Sequence, residues 1–280
     1  MMLSVSDLVN ILLPVLSHWI LWLIFVIMAI IILFLYAYPY IKKPRKEFRS
    51  YHIGIPITNV VSMYIFTKML EGVIYGGSIL KVDAWVNKII FNIYFPWIDK
   101  IALFVTTIGS TWVIVSLFVI ALTVLILRKR WRYALLSTIA LSGALILQLT
   151  IKFLVHRTRP QNLIETYFSF PSGHAITAVV FVSLLIYSFK DDFKNKTVKY
   201  ILIVGFSIFF ISIGASRIIL QVHWFSDVIA GWSLGLFWFM LVVLVERSIT
   251  GLIQAVRKET KEAKPIVPKE VTKIIEKGIK

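Results

Sequence analysis

The most restrictive feature of this sequence is an apolar run near its start, from Trp19 to Tyr38, that contains no charged side chain. A helix of about 20 apolar residues is long enough to span the hydrocarbon core of a bilayer. Similar runs recur along the chain, in which 59% of the residues are hydrophobic and only 16% are charged. Because so few charges cannot cover a soluble domain of this composition, the sequence predicts a polytopic helical membrane protein.

Clear membrane spans are predicted at several positions, together with one weaker candidate. The clear spans cover 14–38, 101–127, 133–151, 175–190, 198–215 and 228–246, and the weaker one covers about 57–80. The weaker segment contains Lys68 and Glu71, one helical turn apart and able to pair, so by itself it is also typical of an amphipathic helix at the membrane surface. The first span lacks a basic region before it and a small-residue cleavage site after it, and we expect it to be a retained anchor.

Clusters of basic residues predict the orientation, because loops rich in Lys and Arg stay on the cytoplasmic side. The clusters are 42–49, 128–132, 190–199 and the tail that follows Glu246. All of them lie on one side only if 57–80 crosses the membrane, and we therefore favour seven spans with the N-terminus outside and the C-terminus inside. Three segments then meet the outer face: 81–100, 152–174 and the start of the last span.

The expected domain organisation follows from these spans. Residues 1–55 are expected to form an anchor span and a basic cytoplasmic loop, 56–246 a membrane core, and 247–280 a basic cytoplasmic tail. The net charge is +16, but it is divided among clusters between spans, which favours membrane lipids over nucleic acid as partners. The absence of cysteine excludes disulfides, thiolate metal sites and a cysteine nucleophile.

Three short motifs at the predicted outer face contain nearly all the unusual polar residues. The first is KFLVHRTRP, in which Lys152 and Arg159 are seven residues, or about two helical turns, apart. The second is PSGH (171–174), whose composition is typical of a helix start. The third is SRIILQVHWFSD (216–227), in which His223 and Asp227 lie four residues apart and so share a helical face.

Each motif alone also fits a structural role, namely a helix end with snorkelling cations, a capped helix, or a His–Asp pair at the interface. Taken together they bring cations, two histidines, an aspartate and a helix N-terminus to one membrane face. A helix N-terminus binds anions, and a carboxylate fixes the tautomer of an imidazole. Together these side chains and the helix N-terminus can bind a tetrahedral phosphate, attack it and protonate a leaving oxygen. Neither an HExxH motif nor a carboxylate-rich patch is present, so no metal site is predicted.

The motifs K-x6-R-P, P-S-G-H and S-R-x5-H-x3-D together resemble the three-part signature of the type 2 phosphatidic acid phosphatases. These are metal-independent membrane enzymes related to bacterial acid phosphatases and vanadium haloperoxidases. All three parts match without departure, and the resemblance covers about residues 80–246. It implies an all-α transmembrane bundle with a six-helix phosphatase-type core, here preceded by one extra N-terminal span, and an enzyme that uses no cofactor.

The resemblance also implies roles for individual residues. His223 would be the nucleophile that forms a phosphohistidine, Asp227 would orient it, and His174 would protonate the leaving alcohol and then activate water. The phosphate oxygens would be bound by Lys152, Arg159, Ser172, the Gly173 amide and Arg217. His156 and Arg157 are not part of the signature and are predicted to be surface charges.

The expected function is thus a lipid phosphatase in a bacterial-type cell membrane, with its site on the outer face. Its substrate would be phosphatidylglycerophosphate, phosphatidate or a polyprenyl diphosphate. A phosphotransferase that passes the phosphate to an acceptor other than water uses the same residues and is the main alternative. A transporter is disfavoured, because charges gather at the ends of the spans rather than near the bilayer midplane. The sequence leaves the oligomeric state open.

Overall fold

The computed structural model describes residues 5–41, 51–93, 95–161 and 168–262. Within these residues every regular element is a helix, which confirms the all-α class. The helices are α1 (Val5–Ile41), α2 (Tyr51–Tyr75), α3 (Ile79–Asn92), α4 (Pro96–Ile108), α5 (Thr111–Leu127), α6 (Trp131–Val155), α7 (Gly173–Phe189), α8 (Lys196–Ile219) and α9 (Phe225–Glu262). The basic cluster at 42–49 and the end of the tail lie outside the described residues.

The membrane spans follow the hydropathy of the sequence closely. Among the described residues, five helices are long and apolar enough to cross a bilayer, or six if α4 and α5, bent by 40° at their junction, count as one span. Helix α7 is apolar but has only 17 residues. With α7 added, six spans become seven, the number that the charge pattern predicts.

Helix α2, the weaker candidate, is one of the helices that are long and apolar enough to cross. Its polar residues find partners on α1, which explains how a helix of modest hydropathy is accommodated. Lys68 binds Glu71 over 2.8 Å, as predicted, and Glu71 also accepts a hydrogen bond of 3.1 Å from the Trp22 indole. The Tyr75 hydroxyl donates to Ser17 over 2.7 Å. Because a polar group in lipid needs an internal partner, these bonds stabilise α2 alongside α1.

The basic loops and the three motifs lie at opposite ends of the bundle. Asp192, in the loop between α7 and α8, forms ion pairs with Arg128 (2.8 Å) and Arg130. The loops 128–132 and 190–199 are therefore neighbours, whereas the motifs lie where α6 and α8 end and where α7 and α9 begin. This arrangement agrees with the predicted separation of basic loops from the motif residues.

Helix α7 lies at the centre of the core and packs against α6, α8 and α9. Its start approaches the α9 backbone at Gly231, where an added Cβ would be 2.7 Å from the Ser172 carbonyl oxygen and 2.8 Å from the Ala175 Cβ. Only glycine permits this approach. The close crossing brings the backbone N–H of Ser172 within 3.0 Å of the carbonyl oxygen of Asp227, so two of the motifs are joined directly.

We predict that the motif end of the bundle faces outward and the basic loops face the cytoplasm, because of the positive-inside bias. The cysteine-free chain allows single cysteines to be placed at two exposed positions, Gln161→Cys at the motif end and Lys194→Cys in the opposite loop. In intact cells an impermeant maleimide should label Gln161→Cys, and should label Lys194→Cys only after permeabilisation. The parent chain is the blank, and the reverse labelling pattern would invert the topology.

Candidate active site

His223 and Asp227 form a buried pair at the start of α9. The Nδ1 atom of His223 lies 3.3 Å from Oδ2 of Asp227, and the two residues are 3% and 0% exposed. Oδ2 also accepts a hydrogen bond of 2.9 Å from the backbone N–H of Trp224, which restrains the carboxylate. A carboxylate beside Nδ1 favours the tautomer that carries its proton there, so Nε2 is left with a free lone pair.

Burial lowers the pKa of His223 to about 4, although the hydrogen bond to Asp227 and its charge act in the opposite direction. The charges of Lys152 and Arg217 lower it further. Since a buried imidazole surrounded by cations resists protonation, His223 is neutral at neutral pH. A neutral imidazole with a free Nε2 is the form that is able to act as a nucleophile.

Cations from three separate segments surround the two histidines. The buried Lys152 ammonium donates to the carbonyl oxygen of Phe168. Arg159 donates to the Val222 carbonyl oxygen over 2.9 Å, and Arg217 donates to the Thr106 hydroxyl over 2.8 Å. The charges of these three cations, and the ring of His223, all act on the ring of His174. The structure thus brings together the predicted site residues from all three motifs.

The start of α7 supplies the other predicted anion-binding groups. Ser172 is the N-cap residue and is 0% exposed, and its hydroxyl has no hydrogen-bond partner among the residues that the structure describes. Gly173 packs directly against the side chain of Gln148, so any larger residue would displace that amide. A buried hydroxyl at a helix N-terminus, where backbone N–H groups point outward, is suited to bind an anionic oxygen.

Arg157 is not a surface charge, so that part of the sequence prediction was wrong. Its guanidinium is only 10% exposed and forms ion pairs of 2.6 Å with both Asp83 and Asp227. It also lies over the Trp224 ring, 5.3 Å from the centroid. Its neighbour His156 is exposed as predicted, and the His156 ring contacts that of Phe168 with centroids 4.3 Å apart.

Sequence reasoning also missed the partners that hold the site in place. Asp83 lies on α3 in the stretch 81–100, which was predicted to meet the outer face but in which no functional residue was assigned. Thr106, which binds Arg217, lies in an apolar span and gave no sequence signal. For Arg157, the one indication in the sequence of a role in the site was its position inside the first motif, between Lys152 and Arg159.

In the described part of the chain, no three or more His, Asp and Glu side chains are grouped so that they could hold a metal ion. The site instead concentrates fixed cations and hydrogen-bond donors. Such an arrangement suits a polyanionic group like phosphate, whose charge is spread over several oxygens.

Comparisons with known proteins agree with this chemistry. The sequence profile of the PAP2 superfamily matches residues 131–249. Phosphatidylglycerophosphatase B of Bacillus subtilis (strain 168) is 29% identical over 188 residues, which are 65% of this chain and 92% of that protein. Undecaprenyl-diphosphatase of Sulfolobus acidocaldarius is 26% identical over 223 residues, which are 76% of this chain and 99% of the relative.

The fold is also similar to a solved structure. The crystal structure of a transmembrane PAP2-type phosphatidylglycerolphosphate phosphatase from Bacillus subtilis superposes with a TM-score of 0.60 at 26% identity, covering 69% of this chain and 97% of that one. The profile, the relatives and the fold therefore agree with one another. These similarities confirm the resemblance to the type 2 phosphatidic acid phosphatases that the three motifs predicted.

Proposed function

We propose that this protein is an integral-membrane lipid phosphatase that hydrolyses a phosphomonoester or diphosphate of a lipid through a phosphohistidine on His223. The relatives confirm the predicted class of enzyme, a phosphatase acting on lipid phosphate esters. One observation carries the proposal: the neutral His223, oriented by Asp227, lies among three cations at the N-terminus of α7.

Binding is the first step. Lys152, Arg159 and Arg217 each offer N–H donors to the oxygens of the phosphate group, and the Ser172 hydroxyl and the Gly173 amide add donors at the helix start. A phosphate monoester carries up to two negative charges, which several cations match better than one. The site is largely closed to water, so each of these contacts is stronger than it would be in bulk solvent.

In the second step Nε2 of His223 attacks the phosphorus, and the bond between phosphorus and the lipid oxygen breaks. The negative charge of the bound phosphate offsets the surrounding cations and lets His174 hold a proton. His174 delivers this proton to the departing oxygen, so the lipid leaves as an alcohol or, from a diphosphate, as a monophosphate. The His223 ring becomes positively charged as the P–N bond forms. Asp227 stabilises that charge, and the three cations stabilise the charge on the transferring oxygens.

In the third step water replaces the lipid. His174, now neutral, accepts a proton from a water molecule, whose oxygen attacks the phosphorus. The P–N bond breaks, inorganic phosphate is released, and the electron pair returns to Nε2 of His223. The cycle ends with both histidines in their starting states.

The site lies at the end of an apolar helical bundle, which favours a substrate held in the bilayer by its own chains. Phosphatidylglycerophosphate, phosphatidate and polyprenyl diphosphates all meet this requirement. The two relatives, a phosphatidylglycerophosphatase and an undecaprenyl-diphosphatase, favour the first and third of these. The active-site end is proposed to face outward, in accordance with the charge pattern.

The proposed reaction should proceed without divalent metal, because fixed cations take the place of a metal at the phosphate. We expect the purified protein in detergent with EDTA to release phosphate from at least one of phosphatidylglycerophosphate, phosphatidate and undecaprenyl diphosphate. His223→Ala is the matched blank. A reaction that stops in EDTA and returns with Mg²⁺ would contradict the mechanism. Product formed only when an acceptor alcohol is added would identify a phosphotransferase instead.

Replacing His223 and replacing His174 should affect different steps of the reaction. His223→Ala should abolish turnover and phosphoenzyme, because no neighbour can replace the nucleophile. His174→Ala should lower kcat by about 100- to 10,000-fold, the usual range for loss of general acid–base catalysis. A substrate with a good leaving group should still form phosphohistidine in His174→Ala, measured by rapid quench with labelled phosphate. The exposed His156→Ala serves as a control, and an active His223→Ala would refute the assignment.

Both the charge of Arg217 and the planar geometry of its guanidinium should contribute to stabilising the transition state. Arg217→Ala should cost about 2.7–4 kcal/mol of transition-state stabilisation, or roughly 100- to 1,000-fold in kcat/KM. Arg217→Lys should retain part of this, since lysine keeps the charge but provides no bidentate donor. Arg128→Ala, at the opposite end of the bundle, is the matched control for loss of an arginine. Variants are compared at equal thermal stability, and a fully active Arg217→Ala would exclude the role.

A further inference from the structure

A chain of charged and hydrogen-bonded groups extends from helix α3 to the catalytic pair. Arg157 binds Oδ1 of Asp227 through Nη1 and Oδ2 of Asp83 through Nη2, both over 2.6 Å. Ser226 closes the chain: its hydroxyl lies 2.6 Å from both the Arg157 guanidinium and Oδ2 of Asp83, and its backbone N–H donates to Oδ1 of Asp83 over 2.8 Å. Asp83 is thus held by three bonds although it lies 143 residues from Ser226.

These groups are buried, so their charges act over a short distance and at low dielectric. Asp83 is 2% exposed and Asp227 is 0% exposed. Both oxygens of Asp227 are engaged, Oδ1 by Arg157 and Oδ2 by Trp224 and His223. The contact with Arg157 therefore fixes the rotation of the carboxylate, and with it the direction in which Oδ2 meets the imidazole.

The negative charge of Asp227 must also remain effective although Arg157 lies beside it. Arg157 alone would cancel the charge of Asp227, and a cancelled carboxylate could not stabilise the positive ring that forms when His223 is phosphorylated. Asp83 supplies a second negative charge. The set of Asp83, Asp227 and Arg157 then carries one net negative charge, which acts on the His223 ring against the charges of Lys152 and Arg217.

We propose that Asp83 and Arg157 are positioning residues of the active site, which act on His223 through Asp227. The proposal rests on the nucleophilic role of His223 given above. Arg157 orients the carboxylate, and Asp83 orients Arg157 and offsets its charge. Asp83 lies outside the region matched by the family profile, which begins at residue 131. Helix α3 thus supplies a part of the site that the three motifs do not contain.

Helix α3 is suited to hold this position at the membrane surface. Its outward side exposes Trp85 (63%) and Phe91 (73%), and it also carries Lys81 and Lys88, a composition typical of a helix lying in the head-group region. Its inward side carries Asp83. The bonds from Asp83 to the first turn of α9 therefore connect the surface helix to the helix that holds Asp227.

The principal test is Asp83→Asn, which keeps the shape of the side chain and removes its charge. We expect kcat to fall about 10- to 100-fold, the range usual for partners that orient a catalytic histidine, with KM changed less than about twofold. Asp99→Asn, on the neighbouring helix α4, is the matched control and should keep the wild-type kcat. The substrate is the lipid phosphate that is hydrolysed fastest in the panel described above, and the variants are compared at equal thermal stability.

A double mutant separates positioning from a merely structural role. If Asp83 acts through Asp227, then adding Asp83→Asn to Asp227→Asn should lower kcat by less than about twofold further. Losses that multiply in the double mutant would overturn the proposal. Arg157→Lys should fall like Asp83→Asn, because a lysine cannot bridge two carboxylates in this geometry.

Two further outcomes complete the test. If Asp83→Asn does not fold, Arg157→Lys decides, because it breaks the bridge between Asp83 and Asp227 while keeping the positive charge: a lower kcat at unchanged KM supports the proposal and a wild-type kcat overturns it. If Asp83→Asn folds and keeps full activity while Asp227→Asn is impaired, this inference fails alone. If Asp227→Asn and His223→Ala are themselves fully active, the proposed function fails.

Discussion

The carboxylate and backbone of Asp227 connect three separate segments of the candidate site. The side chain meets His223 and Arg157, and the backbone carbonyl oxygen accepts the Ser172 N–H at the start of α7. Asp227 thus contacts the proposed nucleophile, the proposed anion-binding start of α7 and the segment that follows α6. A fully buried carboxylate is costly unless it is paired and hydrogen-bonded, so this site can exist only with its partners in place.

Close helix packing makes these bonds geometrically possible. The backbones of α7 and α9 approach each other at Gly231, and without this approach the bond between Ser172 and Asp227 would be too long. In lipid the hydrophobic effect does not drive helices together, and small residues at crossings supply the contact area instead. The same packing that stabilises the bundle therefore also sets the distance between the start of α7 and the His223–Asp227 pair.

The electrostatics of the site favour an anionic ligand. Lys152, Arg159 and Arg217 are held by carbonyl or hydroxyl oxygens, whereas Arg157 is neutralised by carboxylates. Arg157 thus supports the site, whereas the other three cations are proposed to bind the anion. A bound phosphate would balance the first group, and the low exposure of the site would strengthen that attraction relative to water. Arg157 and Arg159, although only two positions apart, therefore have different partners, carboxylates for Arg157 and the Val222 carbonyl oxygen for Arg159.

The sequence alone determined the membrane class, the positions of the spans and the three motifs that define the family, because hydropathy and motif spacing are local properties. Charge placement also predicted that α2 crosses the membrane despite Lys68 and Glu71, though only the structure showed that Trp22 of α1 contacts both residues. The ion pairs that connect Asp83, Arg157 and Asp227 were decided by tertiary structure. Asp83 lies 74 residues from Arg157, and no local pattern distinguishes an acid that will be buried against a distant arginine from one that will be solvated.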